Sequence, residues 1–538
     1  MNECDEVRES IREEVYAHFN AAHATNHRKF IEGDSTATSE YIYKNQKEDS
    51  QKIITEFKNG KRVVSVQKRT KVGADGLMIC VLMDMALEGG TLCTNPNNVR
   101  IITGMSNCEW ERTMIEKCPG CFKDKIFHHG QLSKANLKNL KNSLIIIDEI
   151  DTGNKEDQVL HKILKDSGVL NIKFMTDNNI RFIFISATII RELHELYRWG
   201  DLHKSITMSV PISYVSHRDF LRMGIIKEFY SIKSITRAEK WIDEDILPYG
   251  NDFRIHIIRT NDDCVGNVQD ACIKKEIEFK DHNAFERLTT HELKELFEEP
   301  LTNHMVICVK GFYRRANLIP NKWKLRIGAT HEFYTKTPDN NVQIQGLPGR
   351  MTGYWREIIE SGHKTGPYRT SVKAITEYEN SWNDPFGYNE YQTFGFKKNS
   401  RGKVNASVLT FLNPKHVEGL IPVALPEPIK MYDISGPFSN CKNADKWRVD
   451  NLVEKHAKWT HKRYDKNGNL NPSGDYIKLG TGCYPEPIKI LNEKDTRALS
   501  NISWGVVTEK GCAISRPVLD NETNAVKYIV IYAKKLIK

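Results

Sequence analysis

Short runs of β-branched and other apolar residues recur along the first part of the chain, separated by stretches with helical spacing. Four such runs lie at residues 62–66, 99–103, 144–147 and 181–185. Continuous apolar runs, rather than alternating ones, indicate strands that are covered on both faces, as in a parallel α/β sheet. Helices are predicted between them at 76–88, which is strongly apolar, and at 157–165, which is amphipathic.

The same alternation returns further along, with predicted strands at 253–258, 305–309 and 325–327 and a helix at 289–298. Beyond residue 354, Gly, Asn, Pro and aromatic residues become prominent, and a β-hairpin is predicted at 512–532. We therefore predict an α/β fold with two tandem domains of mainly parallel sheets and a C-terminal α+β region. The expected boundaries are an N-terminal helical extension at 1–40, domains at 41–230 and 231–365, and an accessory region at 366–538.

Size and charge narrow the class of protein. A chain of 538 residues fits two packed domains plus an appendage better than one hydrophobic core. Lys and Arg outnumber Asp and Glu by 78 to 69, and this net charge of +9 favours a polyanionic partner, although solubility alone could also account for it.

Several features bear on where the protein acts. The 12 cysteines are scattered without a disulfide framework, which favours a reducing compartment. The N-terminus lacks the features of a signal peptide, and no apolar stretch is long enough to span a bilayer. We expect a soluble, intracellular protein without a membrane partner. The many Lys, Asn and Ile residues, as an AT-rich genome produces, suggest a viral or phage origin.

Two polar motifs follow neighbouring predicted strands. Asp148 and Glu149 end the apolar run at 144–147, and an α/β sheet presents its ligands at the carboxyl ends of its strands. One carboxylate, Asp148, can hold Mg²⁺ while Glu149 orients the water that attacks a γ-phosphate. A solvated acidic loop is the alternative. The next strand is followed by the small residues Ser186, Ala187 and Thr188.

The order of these motifs resembles that of superfamily-2 helicases and translocases of the DEAD/DEAH type, whose acidic box corresponds to residues 148–151 and whose coupling motif corresponds to Ser186-Ala187-Thr188. Residues 345–354 resemble the family's glutamine-and-arginine motif, with Gln345 and Arg350 as further catalytic candidates. Gly353 and Tyr354 stand where a second arginine would fall. The resemblance covers residues 40–360 and implies RecA-like domains, ATP and Mg²⁺ as cofactors, and a nucleic-acid-dependent ATPase that translocates on or unwinds its substrate.

Further residues are assigned by the same resemblance. Gln46 lies in a segment like the one that reads adenine in many such motors, although a polar turn before a helix would look alike. Candidate contacts to nucleic-acid phosphates are Thr103, Ser106, Lys310, Arg314 and Arg315, for which a solvated basic face is the alternative. We expect DNA rather than RNA.

The phosphate-binding loop departs from the family pattern. Such a loop needs glycines, then a Lys for charge and a Ser or Thr for Mg²⁺. The segment after the first strand contains Thr70, Gly73 and Gly76, but Ala74 and Asp75 occupy the places of Lys and Ser or Thr. We therefore predict impaired ATP hydrolysis, through natural loss or through replacement of a Gly-Lys-Thr triplet. The alternative function is a catalytically inactive, helicase-fold nucleic-acid-binding or scaffold protein.

The spacing of some cysteines is compatible with a zinc site. Cys118 and Cys121 are spaced as in a zinc knuckle, and Cys108, His128 and His129 lie nearby, but no clean second pair completes four ligands. A loop with free thiols is the alternative.

Overall fold

The computed structural model describes most of the chain. The described residues are 3–31, 41–87, 92, 94–106, 108–313, 315, 319–387, 389–398, 404–426, 432–453, 488–489, 513–519, 523, 526–533 and 536–538. They form two compact units. The first unit comprises Met1–Pro385, Tyr391–Phe396 and Ala406–Leu425, and the second comprises Phe386–Glu390, Lys397–Asn405 and Pro426–Lys538.

A six-stranded parallel sheet organises the first part of the first unit. Its strands are β1 (Val63–Gln67), β2 (Arg100–Thr103), β3 (Ile126–Phe127), β4 (Ser143–Asp148), β5 (Ile180–Ser186) and β6 (His203–Thr207). The accompanying helices are α1 (Glu3–Ile31), α2 (Lys44–Lys58), α3 (Ala74–Leu87), α4 (Cys108–Lys117), α5 (Val159–Asp166), α6 (Ile172–Asp177) and α7 (Ile190–Tyr197). The four predicted strands and both predicted helices are present. The pattern missed β3 and β6 because one is only two residues long and the other is partly exposed at the sheet edge.

The strand order, β3-β2-β4-β5-β1-β6, decides which chain segments meet. All pairings in this sheet are parallel, and β5 lies between β1 and β4. Because parallel strands end at one edge of the sheet, the loop after β1, the acidic box after β4 and the small residues after β5 lie side by side.

A second six-stranded parallel sheet follows, in the order β10-β11-β9-β12-β14-β8. After β7 (Tyr214–Val215), the strands are β8 (Ile226–Glu228), β9 (Ile255–Arg259), β10 (Glu278–His282), β11 (Met305–Val309), β12 (Ile327–His331), β13 (Gly353–Tyr354) and β14 (Tyr368–Thr370). The helices are α8 (His217–Arg222), α9 (Ile235–Trp241), α10 (Asp262–Lys274), α11 (Thr290–Glu298), α12 (Asn321–Lys324), α13 (Asn340–Gln345), α14 (Leu347–Met351), α15 (Arg356–Glu360) and α16 (Val372–Asn383).

This second sheet contains the strands predicted at 253–258 and 305–309. The strand predicted at 325–327 begins only at Ile327, because residues 325 and 326 form the turn that precedes β12. The sheet also includes β8 and β14, which lie just outside the range 231–365 predicted for the second domain. Strands β7 and β13 form a separate antiparallel pair that joins the two halves of the unit. The predicted fold class, two tandem RecA-like domains with parallel sheets and a C-terminal α+β region, is confirmed.

The apolar runs become the cores of both sheets. Every residue of β1, β4, β5, β9 and β11 is buried. The apolar helix α3 packs into the core of the first sheet, where Leu77 and Leu82 are fully buried. Trp241 and Val306 lie in the core of the second sheet. Burial on both faces is what continuous apolar runs predict for parallel strands.

The C-terminal part has a different architecture. Its elements are β15 (Gln392–Thr393), β16 (Phe396–Lys398), β17 (Val404–Ala406), β18 (Tyr432–Phe438), α17 (Cys441–Asn451), β19 (Ile488–Lys489), β20 (Ala513–Leu519) and β21 (Val526–Ala533). Strands β20 and β21 pair antiparallel, which confirms the strands of the predicted hairpin, whereas residues 520–522 of its turn lie outside the described residues. Among the described helices, none has the length and hydrophobicity that crossing a bilayer requires.

Candidate active site

The acidic box lies where β4 ends. Asp148 and Glu149 are 5% and 6% exposed, so both carboxylates are held away from bulk water. Trp110 donates its indole N–H to Oδ2 of Asp148 at 2.8 Å. The other oxygen, Oδ1, has no hydrogen bond to any described residue and lies 3.4 Å from Nζ of Lys68. A buried carboxylate oxygen without a hydrogen-bond partner fits the predicted role of Asp148 as a Mg²⁺ ligand.

Lys68, in the loop after β1, sits against both carboxylates. Its ammonium lies 2.8 Å from Oε1 of Glu149. Burial opposes ionisation of Glu149, but the charges of Lys68 and Arg315 outweigh it and lower the pKa of Glu149 to about 2. Burial and the neighbouring Glu149 charge raise the pKa of Asp148, against the effect of Lys68. Glu149 is therefore ionised at neutral pH.

The backbone of Glu149 is unusual. Its φ of +50° lies in the left-handed region, which is uncommon for residues other than glycine. Such a conformation persists only where the surroundings hold it, and it occurs often at functional sites. The hydrogen bonds to the Glu149 carboxylate supply part of that restraint.

The glutamine-and-arginine motif of the second sheet reaches the same carboxylate. Gln345 donates from Nε2 to Oε2 of Glu149 at 3.1 Å, and Arg350 donates from Nη2 to Oε1 of Gln345 at 3.0 Å. Arg350 is 1% exposed, and burial lowers its pKa to about 10, which leaves it charged at neutral pH. The four predicted catalytic residues, Asp148, Glu149, Gln345 and Arg350, therefore lie together.

Asp151 links the acidic box to the predicted coupling motif. Ser186 and Thr188 donate their hydroxyl groups to its two carboxylate oxygens at 2.7 and 2.8 Å, respectively. Asn341, from α13 of the second sheet, donates to the same carboxylate at 3.0 Å. Ala187 lines the adjoining cavity. Sequence reasoning missed Asn341, because nothing in its local pattern separates it from an ordinary helix N-terminal residue.

Arg315 is placed differently from its prediction. Instead of lying on an outer basic face, it donates to Asp151 and, at 2.7 Å, to Oγ1 of Thr152, and it approaches Glu149 to 3.5 Å. Arg315 is thus a second arginine from the β11 side that reaches the acidic box. Its neighbour Arg314 lies outside the described residues.

The remaining predicted nucleic-acid contacts fall in different environments. Thr103 is fully buried, and its hydroxyl donates to the carbonyl of Asp148 at 2.9 Å, so it is not available to an external phosphate. Lys310 is 44% exposed and pairs with Asp262 at 2.6 Å. Ser106 is exposed and lines a cavity of about 950 Å³. That cavity also carries Arg112, Lys155, Arg259, Arg287 and Arg315 on its walls.

The loop at residues 68–73 connects β1 to α3. Gly73 adopts a φ of +83°, a left-handed conformation that glycine accommodates readily. Ala74 is the first residue of α3, so no lysine stands at the helix start. The carboxylate of Asp75 pairs with Lys117. Burial opposes ionisation of Asp75, but Lys117 prevails and lowers its pKa, so this carboxylate carries a charge that a neighbour neutralises.

Gln46 holds this loop with both ends of its amide. Its Nε2 donates to the carbonyl of Gly73 at 2.6 Å, and its Oε1 accepts from the backbone N–H of Tyr43 at 2.9 Å. The ring of Tyr43 stacks on that of Tyr354, with centroids 5.2 Å apart. Gly76 lies close by, because a Cβ there would come within 2.5 Å of Oε1 of Gln46.

These residues enclose one cavity of about 450 Å³, within the usual range for small-ligand sites. The residues that line it include the loop, the acidic pair and the second-sheet motif, namely Gln46, Lys68, Thr70, Lys71, Gly73, Ala74, Asp75, Gly76, Asp148, Glu149, Gln345 and Arg350. The predicted nucleotide-binding and catalytic residues thus border a single space.

The cysteines give zinc no support. Burial raises the pKa of Cys118 to about 12 and that of Cys121 to about 11, so neither thiol is activated as a thiolate by its protein surroundings. Within the described part of the chain, no group of three or more His, Cys, Asp or Glu residues is placed to hold a metal ion.

Lys324 provides a test of the electrostatics beside this site. It is 3% exposed, and its ammonium donates to the carbonyl of Thr352 at 2.6 Å. Burial and the charge of Arg350 lower the pKa of Lys324 to about 7. An unfolded lysine titrates near its ordinary value, so the unfolded chain binds more protons above pH 7. The free energy of unfolding should therefore rise with pH between about 7 and 10, by up to about 1.4 kcal/mol per unit.

Urea unfolding at pH 7, 8 and 9 measures this contribution. The difference in unfolding free energy between the wild type and Lys324→Met should increase with pH across that window. A difference that stays constant would show that Lys324 remains charged in the folded protein.

No protein-family model and no curated protein sequence matches the chain. Among solved structures, it is similar to Dbp5 of S. cerevisiae bound to RNA and ADP BeF3, with 13% identity, a TM-score of 0.34, and coverage of 64% of this chain and 92% of that one. A DEAD box protein from the hyperthermophile Methanococcus jannaschii shows 14% identity, a TM-score of 0.32, and coverage of 62% and 89%. The DEAH/RHA helicase HrpB of Escherichia coli shows 11% identity, a TM-score of 0.37, and coverage of 63% and 46%.

Proposed function

We propose that this chain is a nucleic-acid-dependent ATPase of superfamily-2 helicase type, which translocates on or unwinds its substrate. The observation that carries the proposal is Glu149, a buried and ionised carboxylate at the end of β4 that is contacted from both sheets. Lys68 contacts it from the first sheet, and Gln345 and Arg315 contact it from the second. A site shared in this way can change when the two sheets move relative to each other, which is what a motor requires.

Each residue has a chemical role in this proposal. Mg²⁺, when bound with ATP, supplies charge neutralisation for the phosphates, and the free Oδ1 of Asp148 is its candidate ligand. Glu149 orients and polarises the attacking water. Arg350 and Arg315 supply fixed positive charge where negative charge develops on the transferred phosphoryl group. The pair Ser186 and Thr188 ties this site, through Asp151, to Asn341 of the second sheet.

The cavity of about 950 Å³ is the proposed path for nucleic acid. Arg112, Lys155 and Arg287 line it, and Ser106 can donate to a phosphate. The net charge of +9 agrees with a polyanionic partner. The preference for DNA over RNA stays a prediction, and both must be tested.

Binding of single-stranded DNA and RNA should depend steeply on salt. With about three phosphate contacts, affinity should fall roughly 10- to 100-fold between 50 and 200 mM salt, because each contact releases condensed counterions. Arg287→Ala should weaken binding of every sequence and reduce the salt slope by about one. Filter binding across a salt series measures both. The control is Arg222→Ala, an exposed arginine that does not line the cavity. Absence of affinity for either nucleic acid at low salt would rule out the proposed function.

The second candidate is a catalytically silent nucleic-acid-binding or scaffold protein. Ala74 and Asp75 favour it, because the helix start lacks the expected lysine and hydroxyl. The two functions separate in one measurement. ATP hydrolysis that nucleic acid stimulates and Glu149→Gln abolishes would exclude the silent protein.

A further inference from the structure

The missing loop lysine raises the question of which cations would face a triphosphate. A phosphate loop combines backbone N–H groups with a lysine at the helix N-terminus. Here Ala74 occupies that position, yet the cavity beside it is rich in positive charge from Lys68, Lys71 and Arg350. Two of these cations belong to the loop itself, upstream of its usual lysine position.

Lys68 already lies at the catalytic carboxylates. Its side chain is only 12% exposed, and its ammonium is 2.8 Å from Glu149 and 3.4 Å from Asp148. These charges raise its pKa against the opposing effect of burial, so Lys68 is charged. An ammonium between the two carboxylates is within reach of phosphates bound in the same cavity. The start of the loop therefore places a positive charge beside the proposed phosphate site.

Lys71 lines the same cavity without an anionic partner of its own. Its ammonium forms no hydrogen bond or ion pair with any described residue. Burial and the charges of Arg350 and Lys68 lower its pKa. Its φ of +57° is a left-handed conformation that costs energy for a lysine. A lysine in a strained conformation that lines the cavity without a hydrogen-bond or ion-pair partner indicates that an anion belongs beside it.

The two residues between these lysines anchor the loop. Arg69 makes a two-fold ion pair with Glu379 of α16, with N–O distances of 2.6 and 3.0 Å, and its guanidinium lies 3.8 Å from the ring centroid of Trp382. The hydroxyl groups of Thr70 and Thr352 form a hydrogen bond, with their oxygen atoms 2.8 Å apart. These contacts fix the loop backbone, so the lysines on either side of Arg69 are held in place before any ligand arrives.

Asp75 does not cancel this charge. Its carboxylate is already paired with Lys117, on the α4 side of the cavity. The repulsion that Asp75 would exert on a phosphate is therefore reduced by a neighbouring cation. The remaining positive charge of Lys68, Lys71 and Arg350 faces the space that Ala74 leaves open.

We propose that Lys68 and Lys71 together bind the triphosphate of the nucleotide, in place of the single lysine that Ala74 replaces. This inference rests on the proposed function. In it, Lys68 shifts part of its interaction from Glu149 to the phosphates, which leaves Glu149 free to act on water. Lys71 gains the anion that it lacks. The chain is then a working nucleotide-binding protein with a rearranged loop, rather than a disarmed one.

Equilibrium binding of a fluorescent, non-hydrolysable ATP analogue with Mg²⁺ tests the proposal on the full chain. Lys68→Ala and Lys71→Met should each weaken binding about 10-fold or more, as expected for loss of one charge-assisted contact. Lys68→Arg should retain most of the affinity. The matched control is Lys58→Ala, an exposed lysine at the end of α2, which should bind like the wild type.

Stability distinguishes binding roles from structural ones. Lys71→Met removes a partly buried amine that has no hydrogen-bond or ion-pair partner, so its melting temperature should equal or exceed that of the wild type even though its affinity falls. Lys68→Ala leaves buried carboxylates unpaired and can lose stability, which makes Lys71→Met the decisive variant. Wild-type affinity in folded Lys71→Met would overturn the proposal that both lysines bind the triphosphate, whatever the result for Lys68→Ala.

The double variant Ala74→Lys/Asp75→Thr separates this inference from the proposed function. If the lysines act as proposed, restoring the usual pair should not be needed for binding, and the wild type should bind in the micromolar range typical of such sites. If the wild type fails to bind and the double variant binds, the lysine proposal is wrong but the proposed function stands. If neither binds the analogue, the proposed function itself fails.

Discussion

Replacing Glu149 by Gln is expected to reduce nucleic-acid-stimulated ATP turnover at least about 100-fold, which is the usual size of a lost general base or water-positioning group. The reason is the negative charge of Glu149. Burial raises the pKa of this side chain, but Lys68 and Arg315 together lower it by more, to about 2, so the native side chain is a carboxylate at every physiological pH. The amide keeps the shape but lacks the negative charge that orients and polarises the attacking water in the proposed mechanism. Release of inorganic phosphate, measured at saturating ATP, gives the size of the loss.

Binding of the ATP analogue provides the companion measurement. Glu149→Gln should bind the analogue as well as the wild type or better, because one negative charge beside the triphosphate is removed. The control is Glu48→Gln, a surface residue of α2 whose side chain is 54% exposed, which should turn over normally. Unchanged hydrolysis in Glu149→Gln would mean that another group activates water and that the assignment of the acidic box is wrong.

Removing Glu379 is expected to lower the free energy of unfolding by about 3–5 kcal/mol, because a buried ion pair that loses one partner leaves an uncompensated charge. Glu379 is 7% exposed and Arg69 is 6% exposed. Glu379→Ala would leave the Arg69 guanidinium without an anion, packed against the rings of Tyr378 and Trp382, where water cannot replace the carboxylate. Urea unfolding, with the midpoint and the slope fitted together, measures the change.

A compensating replacement shows that the loss comes from the unpaired charge. Arg69→Met combined with Glu379→Leu should recover much of the stability, since apolar residues of similar volume can replace a buried pair. Glu360→Ala serves as the control, because its carboxylate is 66% exposed and makes only a surface pair with Arg356. A destabilisation by Glu379→Ala of less than about 1 kcal/mol would show that water or another group reaches Arg69.

The two predictions concern one structural idea. Residues of the second sheet contact Glu149 at the proposed catalytic site, and Glu379, in a helix after the second sheet, holds the proposed phosphate-binding loop through Arg69. Arg69 and Glu379 are 310 positions apart in the chain. If both predictions hold, the loop and the acidic box are both controlled from outside the first sheet, which is the coupling that a motor between two domains needs.

Some sequence predictions were accurate because they depend on short-range patterns. The continuous apolar run at 144–147 lies in the strand β4 because a strand covered on both faces favours apolar side chains at successive positions. The resemblance to the glutamine-and-arginine motif also depends on a short segment, since Gln345 and Arg350 lie close together in the chain, but the role of the motif stays a prediction. Even so, the motif did not reveal that Gln345 is the residue that touches Glu149.

Other predictions depended on packing. The sequence around Arg315 predicts a basic surface segment. In the structure, the path of the chain after β11 directs the Arg315 side chain towards Asp151. The position of Thr103 at the end of a predicted strand suggested an accessible hydroxyl group. In the structure, this hydroxyl group points inwards and donates to the carbonyl of Asp148. The direction of a side chain at a strand end depends on what packs beside it, and the neighbouring strand β4 comes from some 45 residues away.

The sequence by itself determined the two parallel sheets, the order of the motifs along them and the presence of Ala74 where the family pattern has a lysine, because hydrophobic periodicity and residue identity are properties of the local chain. Only the tertiary structure decided where positive charge is placed around the cavity. Lys68 meets Glu149, Arg69 meets Glu379, and Asp75 meets Lys117. These pairings join segments from 42 to 310 positions apart, and electrostatic interactions act through space, so no local pattern could have predicted them.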